Sequence, residues 1–148
     1  MKFKDTSYGD LTGQVFYGNI YVQDMGLTSL EGAPIEVVGT MDISGNDLTT
    51  LEHAPKKILQ SFSASGNKKL KSLQYAPIKV ETIYLKKLPL ITDINKQIVD
   101  NNIRAGRYIL DSVNLRAFDF KDDFKKKELE DAIKSKGFRT LLGLKNEI

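Results

Sequence analysis

Few residues in this chain have the chemistry of a catalyst. His53 is the only histidine, there is no cysteine, and the adjacent carboxylates Asp122 and Asp123 precede an apolar helical pattern, where they read as helix-start residues. An activated nucleophile needs a base within reach, a zinc site needs thiolates or imidazoles, and a phosphate cradle needs G-x-x-x-x-G-K-[ST]. Neither that string nor G-x-S-x-G occurs. His53 also fills a position held by Gly32 and Tyr75 in neighbouring segments, which reads as an interchangeable place. The expectation is a protein that is not an enzyme, with no metal and no cofactor.

The remaining chemistry is that of contact. Tyr21, Asp42, Ser63 and Tyr84 recur at a spacing of 21, as do Gln23, Ser44, Ser65 and Lys86, and before them Asn19, Thr40, Ser61 and Thr82. Set side by side, these residues make a surface that is small and hydroxylated in its middle, with tyrosines at both sides. It suits hydrogen bonding and aromatic anchoring of a partner. Ser and Thr are also what an ordinary solvent-facing strand surface carries, so the first two sets are the candidate partner-binding residues and no more than that.

Such a surface needs elements that repeat in register, and the sequence supplies them. Ile20-Tyr-Val22, Met41-Asp-Ile43, Phe62-Ser-Ala64 and Ile83-Tyr-Leu85 start 21 residues apart, and a fixed period of this size marks a stacked-repeat solenoid. Apolar residues two apart share one face of a strand, so these pairs are expected to point inward. Met25, Leu27, Leu30, Leu48, Leu51, Leu70, Leu73, Leu88, Ile91 and Ile94 should continue the core, joined by Val37, Ile58 and Val80. Asn46 and Asn67, beside Gly45 and Gly66, should bond unpaired backbone groups in the turn after the strand. The Ala-Pro steps at 33–34, 54–55 and 76–77 stop any helix and send the chain into the next strand. One extra lysine follows Asn67, and the stretch from Pro77 to Ile83 is one residue shorter than its counterparts, so the register should be kept.

The flanks read differently. Residues 1–19 hold turn formers and the β-favouring Val15-Phe16-Tyr17, as expected of a cap over the first unit's open apolar face. After the four units at 20–94, helical spacing begins. It predicts a C-terminal helical region over 95–148 packed on the repeats, with one helix at about 93–104 capped by Thr92 or Asp93 and a second at about 121–136 ended by Gly137. Ala105 and Tyr108 fit the first helical pattern, although Arg107–Leu110 reads equally as helix or short strand. Phe138, Leu141, Leu142 and Leu144 form an apolar tail.

Charge is unevenly placed. Residues 1–54 carry two lysines against eight carboxylates, whereas residues 55–95 carry eight lysines against two, within a chain of formal charge +3. In a solenoid, sequence order is order along the stack, so one end should be acidic and the other basic. The cations from Lys121 to Arg139 are largely balanced by acids four residues away, as on a solvated helix face. No apolar run approaches the roughly 20 residues of a membrane span. Met1-Lys-Phe-Lys-Asp lacks a signal peptide's apolar stretch, so a cytoplasmic setting away from membranes is expected.

Gly26-Leu-Thr-Ser-Leu-Glu-Gly-Ala-Pro34 and Met41-Asp-Ile-Ser-Gly-Asn-Asp-Leu-Thr-Thr-Leu-Glu-His-Ala-Pro55 resemble the leucine-rich-repeat-like units of small proteins from large tailed bacteriophages. The C-terminal strings Phe124–Glu130 and Lys136–Lys145 are similar to tails of such proteins. The resemblance covers about half of the chain and departs at Leu88-Pro89, which replaces the Gly-Asn turn. It implies an α/β fold, a short leucine-rich-repeat-like solenoid of parallel strands acting as an interaction module in the bacterial host cytoplasm, and it brings no catalytic residues. The function expected is binding, with inhibition or redirection, of a host protein. Two alternatives stand beside it: a nucleic-acid binder using the basic 55–95 stretch and the C-terminal helix, and a virion or assembly component.

Overall fold

The computed structural model describes residues 1–111, which wind into a parallel β-solenoid of about five coils with little helix. Coil one carries β1 (Val15–Tyr17) and β2 (Ile20–Tyr21), and coil two carries β3 (Glu36–Val38) and β4 (Met41–Asp42). Coils three, four and five each carry one strand: β5 (Lys57–Ser63), β6 (Lys79–Tyr84) and β7 (Arg104–Ile109). All pairings among them are parallel. The two short ladders of coils one and two both end on β5, which alone joins them to β6 and β7.

The inward row is the one the alternation requires. Ile20, Met41, Phe62, Ile83 and Tyr108 are successive register partners and all are buried. A second buried row starts from the partly buried Phe16 and runs through Val37, Ile58, Val80 and Ala105. Each side chain in these rows packs against its equivalent about 4.8 Å away, so core formation and stacking are the same event. On the return side Leu27 and Leu30, Leu48 and Leu51, and Leu70 and Leu73 are buried. Met25 differs from its expected inward place and is 42% exposed. It occupies the asparagine position of the outermost coil, and Asn46 of the next coil already accepts from its amide at 3.0 Å.

Asn46 and Asn67 do what a buried amide must. Asn46 Oδ1 accepts from the Met25 and Leu27 amides, both at 3.0 Å, while its Nδ2 donates to the Val22 and Ile43 carbonyls, both at 2.9 Å. Asn67 repeats this one coil later, donating to Ile43 and Ala64 and accepting from Leu48. Each thus ties its own coil to the one before and satisfies backbone groups that have no strand partner.

Positive backbone angles also recur by coil. Asp24, Gly45, Gly66 and Lys87 are all left-handed, and so are Gly32, His53 and Tyr75. The second set lies in a turn closed by the Ala33, Ala54 and Ala76 amides donating to the Leu30, Leu51 and Leu73 carbonyls. The place of His53 is therefore not indifferent to residue type: it has φ 76° and Tyr75 has φ 72°, where a glycine would be relaxed.

The cap at the N-terminus covers coil one. Phe3, in a 3-10 turn over Phe3–Asp5, is buried and stacks on Tyr8, which meets Phe16 edge-on. The Phe3 and Lys4 amides donate to the carbonyls of Ser29 and Glu31. Tyr8 Oη accepts from the Tyr21 amide at 2.9 Å, occupying a donor on β2, an edge strand of the sheet. The carboxylate of Glu31 lies 2.9 Å from both Lys2 and Lys4 Nζ, and hydrogen bonding with these ammonium groups lowers its pKa from 4.5 to about 2.

At the other end the expected helical region is corrected within the described residues. The helix α1 spans Ile94–Asp100, with Asp93 as its cap, its side chain accepting from the Lys96 amide at 3.1 Å. It stops well short of 104. Asn102 turns left-handed, and Arg104–Ile109 then forms the fifth rung, with Ala105 and Tyr108 inward on a strand. Gly106 has a strand's reason to be glycine, because a Cβ there would come within 2.9 Å of the Glu81 carbonyl oxygen. The helix expected at 121–136 and the tail at 138–144 lie outside the described residues. Among the described residues no helix is long and apolar enough to cross a membrane.

Candidate interaction surface

The strands bring the expected surface residues into line. Tyr21, Asp42, Ser63 and Tyr84 are successive register partners, and Ile109 of β7 extends the column. The ladder continues beyond the strand ends, where the Asp24, Gly45 and Gly66 amides donate to the carbonyls of Ser44, Ser65 and Lys86. This places Gln23, Ser44, Ser65 and Lys86 in the next outward column. At a strand spacing of about 4.8 Å, Tyr21 and Tyr84 stand roughly 14 Å apart.

The two columns are not uniform. In the middle, Asp42 Oδ1 accepts from the Ser44 amide at 2.9 Å and from Ser44 Oγ at 2.6 Å. Ser63 Oγ accepts from the Ser65 amide at 3.4 Å, and Ser65 Oγ from the Lys86 amide at 3.0 Å. These four residues are half-buried and spend polar capacity on their own backbone. At the ends, Tyr21 is 53% exposed and Tyr84 37%, and Gln23 and Lys86 are exposed beside them. None of these four side chains makes a side-chain hydrogen bond among the described residues. The hydroxylated centre is thus largely a structural spacer, and the reach toward solvent lies at Tyr21 and Gln23 on one side and Tyr84 and Lys86 on the other.

The third expected outward set is corrected at one member. Thr82 is only 6% exposed, since it and Ile83 are consecutive buried residues that interrupt the alternation of β6. The strand changes phase there, so a residue with an outward place by simple alternation turns in.

Other outward residues come from the fifth rung. Val15, Glu36, Lys57, Lys79 and Arg104 form one register column, and Arg107 pairs with Thr82. The arginines escape a reading confined to period 21, because β7 follows β6 by 25 residues along the inward row. A signal for them was present: Ala105 and Tyr108 are three apart, as Val80 and Ile83 are, and each pair is preceded by a cation. His53 is exposed, and no group of three His, Asp or Glu residues among the described ones is arranged to hold a metal ion. No protein-family model, no curated protein and no solved structure matches this chain.

Proposed function

We propose that the protein is a non-enzymatic interaction module that holds a protein partner through the two ends of this surface. The observation that carries the reading is the division within the columns. Asp42, Ser44, Ser63 and Ser65 are bonded within the fold, whereas the Tyr21, Gln23, Tyr84 and Lys86 side chains reach solvent. Two tyrosines roughly 14 Å apart on a stacked sheet present apolar area at low entropic cost, because rigid strands already fix their backbones. The resemblance of Gly26–Pro34 and Met41–Pro55 to leucine-rich-repeat-like phage proteins supports a bacterial host macromolecule as the partner, with inhibition or redirection as the outcome.

The test is affinity capture from bacterial lysate with the wild-type chain and a Tyr21→Ala/Tyr84→Ala variant, identified by mass spectrometry. Both substitutions lie on exposed positions, so unchanged circular dichroism and melting are expected. A host protein enriched by the wild type and lost with the double variant supports the reading. Identical captured sets would remove this surface from consideration.

A further inference from the structure

The cation column on the other outward strip of the sheet is not used by the proposed protein contact. Lys57, Lys79 and Arg104 are successive register partners on β5, β6 and β7, each just before a buried residue, so all three side chains leave the same face. Arg107, exposed three residues beyond Arg104, adds a fourth cation. Lys57 lies 3.9 Å from Glu36, the acidic member one rung earlier, and marks where the strip changes sign. Among the described residues Lys79, Arg104 and Arg107 form no ion pair.

The backbone adds shape to this charge. Between its two inward residues, Ile58 and Phe62, β5 holds one residue more than β6 holds between Val80 and Ile83, and the register shifts between Ile58 and Ser61. The bulge leaves Leu59 53% exposed beside an open hollow of about 120 Å³, whose lining includes Lys57, Lys79 and Glu81. Among the described residues Glu81 is the one carboxylate lining that hollow, facing two lysines there and lying opposite Gly106 on β7. On the far side of Lys79, Ile78 is also exposed. The strip is therefore a line of cations at strand spacing, with one exposed apolar side chain on each margin, Leu59 and Ile78.

We infer that this strip binds a single strand of nucleic acid, its phosphates following Lys57, Lys79, Arg104 and Arg107 and its bases resting on Leu59 and Ile78. A linear polyanion matches a linear array of cations better than a folded acidic surface does, because every rung meets another charge of the same chain. Affinity then comes mainly from released counterions and base contact, without sequence readout.

Fluorescence anisotropy with a labelled oligothymidine tests this on the full chain. Binding should weaken by roughly 20- to 50-fold when salt rises from about 50 to about 200 mM, as three to four phosphate contacts require. A Lys79→Gln/Arg104→Gln/Arg107→Gln variant should lose about tenfold or more in affinity at low salt. A Lys68→Gln/Lys71→Gln/Lys87→Gln variant removes as much charge from exposed positions off the strip and should bind as the wild type does. Melting curves for both variants verify that they fold. No binding at low salt, equal losses in the two variants, or competition by a polyglutamate peptide as strong as by unlabelled oligothymidine would each overturn the inference.

Discussion

The first three coils and the last two hold the same inward rows on different backbones. Phe16 and Ile20, Val37 and Met41, and Ile58 and Phe62 are four residues apart, whereas Val80 and Ile83, and Ala105 and Tyr108, are three apart. Coils two and three close their turn with Gly-Asn, and coil four with Lys87-Leu88-Pro89. There the Lys87 amide, whose equivalents Gly45 and Gly66 donate to backbone carbonyls of the next coil, donates to a carboxylate, Asp111 Oδ2, at 2.8 Å. The outward column changes sign one coil earlier, between Glu36 and Lys57, and stays basic through Lys79 and Arg104. The difference teaches that stacking fixes the buried rows, while corners and turns can be rebuilt wherever each buried polar group still finds a partner.

The largest expected effect falls where the two halves join. Phe62→Ala removes a fully buried ring from β5 and should cost about 3–5 kcal/mol, read by urea denaturation. Because β5 links both short ladders to β6, the loss should appear as one shifted transition, and two separate transitions would break the picture of a single stack. Asn46→Ala should cost about 2–4 kcal/mol, since it strands the Met25 and Leu27 amides and the Val22 carbonyl in one step, the Ile43 carbonyl keeping its bond from Asn67 Nδ2. Leu88→Ala, at the equivalent place in coil four, loses only packing, so comparing the two variants' proton-exchange patterns separates bonded turn from apolar turn.

Gly39→Ala should cost about 1–3 kcal/mol, because a Cβ there would sit 2.2 Å from the Gly18 carbonyl oxygen and force coils one and two apart. His53→Gly and Tyr75→Gly should each raise stability by up to about 1 kcal/mol, by relieving a left-handed backbone. Gly32→Ala at the corresponding turn should instead destabilise, as its Cβ would meet Lys4 Cβ at 2.4 Å. The smallest effect concerns the cap. The depressed pKa of Glu31 contributes stability that is full above pH 4.5 and lost as pH falls through about 2. Over that window protection of the Phe3 and Lys4 amides, corrected for intrinsic exchange, should fall while that of Leu85 stays level. The group is exposed, so the change should be slight.

The repeat was legible because period and alternation act together. Ile20, Met41, Phe62 and Ile83 satisfy both, and Asn46 and Asn67 carry the side chain their turn requires. The fifth rung was harder to see, since Ala105 and Tyr108 suit a helix as well as a strand and Gly106 looks like a helix end until its closeness to Glu81 is known. Burial of Thr82 depends on a phase change that alternation alone does not contain. The proposed contact residues were legible as columns, but the bonding that sets Ser44 and Ser65 apart from Gln23 and Lys86 is a property of three-dimensional distances.

The repeat from β6 to β7 is four residues longer than the 21-residue norm and contains α1, yet the two strands remain paired from Lys79↔Arg104 to Tyr84↔Ile109. Length can thus be absorbed on the far side of the solenoid without altering the face it presents. The same place offers an engineering port: a short foreign peptide spliced near the exposed Asn102 would lengthen a loop at modest entropic cost and travel on an intact scaffold.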